Sequence, residues 1–129
     1  MPKQATCTFV IDSWDEGTWH DQDGVKLQRA KVTKTFRGDL DGRSTVELLS
    51  VQGPSDASRA YVAVERIEGR LHDRAGSFVL LHAASPDSVR WTVVPETATE
   101  GLRGLRGSAQ IAITPDGGHS MTLDYDLDD

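Results

Sequence analysis

Cysteine is nearly absent from this sequence: Cys7 stands alone among 129 residues. An intrachain disulfide and a cysteine-rich zinc site are therefore excluded. Long apolar runs are missing as well. The stretch from Phe78 through Leu80 and Leu81 to Ala84 is among the longest, and it falls far short of the roughly 20 apolar residues a membrane helix needs. The opening Met1-Pro2-Lys3-Gln4-Ala5-Thr6 lacks the apolar core of a secretory leader, so a cytoplasmic protein with no membrane partner is expected. Positive charge is not in excess either. Fourteen Lys and Arg against 20 Asp and Glu give a net charge of -6, which argues against a nucleic-acid partner held through phosphates.

Motifs of common chemistries are also lacking. His20, His72, His82 and His119 show no H-E-x-x-H or other close ligand spacing, so no metal site is expected. No serine sits in a G-x-S-x-G elbow, and Cys7 lies within an apolar strand face, so nucleophilic catalysis has no support. Asp21-Gln22-Asp23-Gly24 and the acidic tail from Asp124 to Asp129 lack the full calcium-loop spacing with its distal Glu, and read as a turn and a solvated tail. The run Gly101-Leu102-Arg103-Gly104-Leu105-Arg106-Gly107 is neither a phosphate loop nor a dinucleotide fingerprint. Tight turns anchored by Leu102 and Leu105 fit it better, and no cofactor is implied.

What is present is an ordinary globular composition, 37% hydrophobic and 26% charged, on a length that suits one domain over residues 1–129. The apolar residues recur with period two. Cys7, Phe9 and Ile11 alternate with a mostly polar face of Thr6, Thr8, Val10 and Asp12; Ala30, Val32, Lys34 and Phe36 alternate with polar neighbours, as do later Met121, Leu123 and Tyr125. Gly, Pro and Asp clusters punctuate these runs at Gly38-Asp39-Leu40-Asp41-Gly42, Gly53-Pro54, Asp73-Arg74-Ala75-Gly76, Ser85-Pro86-Asp87 and Pro115-Asp116-Gly117-Gly118. About eight strands joined by short connections are expected, the pattern of a small closed antiparallel barrel. Two segments break the pattern: residues 12–26 and 97–107 are expected to be loops.

Several runs together carry a family resemblance: Val32-Thr33-Lys34-Thr35-Phe36-Arg37-Gly38-Asp39-Leu40, Tyr61-Val62-Ala63-Val64-Glu65-Arg66, Gly76-Ser77-Phe78-Val79-Leu80-Leu81-His82, Trp91-Thr92-Val93-Val94-Pro95, the 101–107 run and Thr122-Leu123-Asp124-Tyr125. In that order they resemble an uncharacterised bacterial domain-of-unknown-function family with the allene-oxide-cyclase-like β-barrel. The resemblance implies an all-β closed barrel of eight strands, often oligomeric. Distant relatives on that fold steer reactive apolar molecules without a cofactor. No catalytic motif of those enzymes matches, so no residue role is carried over.

Strand alternation then selects the polar groups that face inward. Lys34 shares a face with Phe36, Glu65 with Tyr61, His82 with Phe78 and Leu80, and Tyr125 with Met121 and Leu123. If those faces are interior, Lys34, Glu65, His82 and Tyr125 meet in an apolar lumen containing Trp91. A lone buried charge is costly, so Lys34 is expected to pair with Glu65. The inward face is ambiguous on the fifth and sixth strands, where Val79 and Leu81 compete with Phe78 and Leu80, and one residue of slip would reverse it. The expectation is a lumen holding a small, largely apolar molecule, lined by Lys34, Phe36, Tyr61, Glu65, Phe78, Leu80, His82, Trp91 and Tyr125. Two alternatives stand beside it. One is a cofactor-independent isomerase or cyclase with Glu65 or His82 as proton acceptor and Lys34 stabilising an oxyanion. The other is an inert oligomeric module in which the same polar groups merely satisfy one another. Trp14 and Trp19 are candidates for a lid, and outward Val62 and Val64 suggest a homo-oligomer, dimer or trimer.

Overall fold

The computed structural model describes residues 2–128. Eight antiparallel strands, β1 (Pro2–Gln22), β2 (Val25–Gly38), β3 (Leu40–Gln52), β4 (Arg59–Leu71), β5 (Arg74–Ser85), β6 (Ser88–Val93), β7 (Arg106–Ile113) and β8 (His119–Asp126), follow one another in space as in sequence. β8 closes on β1, giving an up-and-down barrel without a crossover. Among the described residues, helix is limited to two single 3-10 turns, Asp56–Ser58 and Glu100–Leu102. None of the helices is long and apolar enough to cross a membrane.

The expected loop at residues 12–26 is instead strand. β1 runs on to Gln22 and turns back into β2 through Asp23 and Gly24, both at positive φ (56° and 78°). That pair of angles is what a two-residue hairpin turn with right-handed twist demands, and Asp-Gly is a preferred sequence for it. Register shifts at Ile11/Ser13 and Thr18/His20 break the alternation along β1, and residues 10–22 are exposed on both faces, so period two is not visible there. β8 pairs with β1 only as far as Phe9, so among the described residues β2 is the one ladder neighbour of residues 10–22.

The barrel is filled at one end and hollow at the other. Phe36, Leu40, Ile67, Leu71, Phe78, Leu80, Met121 and Leu123 pack into one buried cluster, which Leu102 and Leu105 of the 94–105 connection plug from below. That connection is tied to β5 where Thr99 accepts a bond from the Ser77 N–H and donates its own N–H to the Ser77 carbonyl. Gly42, Gly69 and Gly76 face one another across β3, β4 and β5. A Cβ on Gly69 would stand 2.2 Å from the Asp41 carbonyl oxygen, so the close approach of β3 and β4 requires glycine there. At the hollow end a second, smaller cluster of Ala30, Val32, Val46 and Ala63 supports partly buried Leu48 and Tyr61.

On β5 the inward face carries Phe78, Leu80 and His82, while Leu81 is 43% exposed. Arg29, Lys31, Arg37, Arg66 and Arg70 all lie on exposed positions, with Arg66 paired to Glu68 at 3.6 Å.

Candidate functional site

The floor of the hollow is set by register. Lys34 on β2 sits opposite Ser44 on β3, Glu65 on β4 sits opposite Val46, and His82 on β5 sits between Ala63 and Trp91. Glu65 is therefore a diagonal neighbour of Ser44 on one side and of His82 on the other, near enough for long polar side chains to meet across the ladder.

They meet on the Glu65 carboxylate, which is wholly buried. Ser44 Oγ donates to Oε2 at 2.5 Å. Lys34 Nζ stands 3.4 Å from Oε2 and 3.5 Å from Oε1, a shared and rather long contact. His82 Nε2 lies 2.8 Å from Oε1, but off the line of a straight N–H···O bond. Burial pushes the Glu65 carboxyl up, yet the contacts from His82, Lys34 and Ser44 outweigh it and hold the group below the ordinary carboxylate range. Burial also lowers Lys34, with Glu65 pulling the other way.

Aromatic rings finish the floor. The His82 ring stacks on Trp91 at 3.6 Å between centroids. The Lys34 ammonium lies over Phe9 at 4.6 Å and over Trp91 at 5.0 Å, positions where a cation is attracted to the ring faces. Trp91 is 8% exposed, and its Nε1–H is buried without an aligned acceptor. Burial raises the Tyr61 hydroxyl, partly offset by its contact with Trp91.

Above this floor opens a cavity of about 350 Å³. Lys34, Tyr61, His82 and Trp91 line it together with apolar Ile11, Ala30, Val32, Val46, Leu48 and Ile111. Glu65 does not line it; the carboxylate is sealed behind Lys34, Ser44 and His82. Of the other residues expected around a lumen, Phe36, Phe78, Leu80 and Tyr125 lie in the filled end, because the lumen is occupied by side chains there. Trp14, half exposed, stands at the mouth on the β1 arm. Trp19 does not: the second bulge turns it onto the outer wall, beside Leu27, Leu49 and Val62.

Sequence reasoning missed Ser44, Phe9, Ile11 and His119. Phe9 and Ile11 stood on a recognised apolar face, whereas Ser44 and His119 gave no signal, lying next to turns where polar residues are ordinary. His119 lines the cavity and stacks on Phe9 at 5.1 Å. The Cys7 thiol is pushed up to about 11, chiefly by burial, which leaves it a poor nucleophile. Among the described residues no group of three or more metal-ligating side chains gathers, and of the acidic tail Asp129 lies outside them.

These features define a small up-and-down barrel, plugged at one end, with a polar-floored apolar pocket at the other. The chain belongs to the DUF3224 family, described as a protein of unknown function, whose model matches residues 5–125. It is similar, at 31% identity and a TM-score of 0.86 over 100% of both chains, to a crystal structure of a DUF3224 protein of unknown function from Shewanella oneidensis MR-1. No curated protein matches.

Proposed function

We propose that this protein binds a small, largely apolar molecule in the open cavity, and that the molecule carries one hydrogen-bond-accepting oxygen, as a carbonyl, enol or carboxylate. The observation that carries this reading is the buried Trp91 Nε1–H, which touches the Tyr61 hydroxyl without making an aligned hydrogen bond and stands beside a Lys34 ammonium held only loosely by Glu65. An idle buried donor is costly, and a ligand oxygen would satisfy it. The apolar walls supply burial area and the two donors supply orientation. With its one thiol buried, the chain also suits a reducing cytoplasmic setting.

Isophorone, a compact cyclic ketone, is a suitable probe. It is expected to raise the melting temperature of the protein by mass action. Trp91→Phe should weaken binding about 10-fold, the worth of one hydrogen bond, and Leu48→Trp should fill the cavity and abolish the shift. Equal stabilisation of all three proteins would refute the reading.

We also infer that the outer wall of β3, β4 and β5 is covered by a second copy of this chain. Leu49, Val62, Val64 and Leu81 form a block of neighbouring positions there, each between 43% and 51% exposed. A continuous apolar patch on a water-facing sheet marks an interface. Glu47 flanks it on β3 and Arg90 on β6. A two-fold axis along the strands would set Glu47 of one copy towards Arg90 of the other, twice. Light scattering should give twice the single-chain mass, and Val64→Asp should halve it; a single-chain mass for the unaltered protein would overturn the inference.

A further inference from the structure

Simple binding does not call for a buried carboxylate behind the pocket floor. Glu65 is inaccessible to any ligand, yet it gathers a serine, a lysine and a histidine, two of which do face the cavity. Groups of this kind are expensive to bury, and apolar residues of like volume would serve a passive wall as well or better. The polarity acquires a purpose if charge moves during the protein's work.

The geometry points to a proton-transfer activity: the cavity isomerises small β,γ-unsaturated ketones to their conjugated forms, with His82 as the base and Lys34 and Trp91 holding the enolate oxygen. This rests on the binding reading above and adds chemistry to it. With Nε2 turned to the Glu65 carboxylate, Nδ1 is the histidine nitrogen left with a lone pair. Glu65 is a positioning residue: it fixes the ring and stabilises the imidazolium that forms. Stacking on Trp91 holds the ring plane. The two donors are already in place where negative charge would develop, which is the arrangement that lowers an enolisation barrier.

The step balances without an oxidant or a co-reactant. His82 takes the proton from the carbon between the carbonyl and the alkene. The C–H bonding pair passes into the conjugated enolate, and the charge collects on oxygen beside Lys34 and the Trp91 N–H. The imidazolium then returns the proton to the γ carbon, the carbonyl re-forms, and the double bond has moved by one position. The apolar walls fit a hydrocarbon ring, and the polar floor fits its single oxygen.

The test uses β-isophorone as substrate and isophorone, its conjugated product, as the binding probe, with conversion read from ultraviolet absorbance. The unaltered protein is expected to convert β-isophorone above the buffer rate and Leu48→Trp to lose that activity. His82→Gln should lower turnover by about 10²-fold or more while isophorone still raises its melting temperature. Glu65→Gln should lower kcat with KM little changed. Binding of isophorone without conversion of β-isophorone would overturn this activity and leave the binding reading standing; absence of both would remove both. Full turnover in His82→Gln would overturn the assignment of the base. Should either floor variant fail to fold, the comparison of the unaltered protein with Leu48→Trp still decides.

Discussion

At the scale of single residues, Glu65 organises the pocket floor, gathering Ser44, Lys34 and His82 around one buried carboxylate. Its carboxylate is shielded from solvent and has three protein partners. Removing one partner of such a group leaves charge buried without compensation, so Lys34→Met should cost about 3–5 kcal/mol. The double variant Lys34→Met with Glu65→Gln should recover a large part of that loss, because a neutral amide can still accept from Ser44 and needs no counter-ion. Urea midpoints at unchanged m-value check both. The acid limb follows from the direction of the Glu65 shift. The carboxyl lies below 4.5 in the folded chain, so the unfolded chain binds more protons in that window. The stabilisation is complete above 4.5 and is lost as the pH falls through the depressed folded value. Asp39, whose carboxylate accepts from the Thr6 N–H, is shifted the same way. The Glu65 share is therefore read as the slope that disappears in Glu65→Gln.

At the scale of elements, the long β1–β2 arm is what makes the pocket deep. The arm carries Trp14 to the rim and, by its second bulge, turns Trp19 away from it. Gly24 at φ +78° holds the arm's turn, with space that a methyl would share with Pro54 at 3.3 Å. Gly24→Ala should cost on the order of 1 kcal/mol. Gly69→Ala places a methyl against backbone carbonyl oxygen and should unfold the barrel or lower its melting temperature far more. Thermal melts of the two variants side by side give the comparison.

The arm also shows where sequence reading succeeds and where it fails. Strands β2, β4, β5 and β8 are legible because one face is buried and the other wet, which writes period two into the chain. Lys34, Glu65 and His82 were legible for the same reason, as polar residues on apolar faces. Residues 10–22 are mostly exposed on both faces, so no burial pattern exists to be read; the Asp23-Gly24 turn was the one available signal. Which end of the tube is hollow was not written locally at all. It depends on Leu102 and Leu105 folding back under Phe78, and on small Ala30 and Ala63 leaving space at the other end.

At the scale of the whole molecule, the barrel has a firm side and a yielding one. β2 through β5 pair along nearly their full lengths, whereas among the described residues no strand lies beside the outer edge of residues 10–22. Amides of β3 and β4 should exchange with solvent slowest, and alternate amides of residues 10–22 fastest; hydrogen-exchange rates check this order.

The joint between β6 and β7 consists of two residue pairs, Trp91 with Ala109 and Thr92 with Ser108. A tube stitched so thinly along one line should part there first when heated, and the tear would begin beside the indole proposed to hold a guest's oxygen. If the proposed guest binds there, occupancy of the pocket should lock the wall's weakest stitch, and a loaded barrel would resist thermal rupture from that cavity outward.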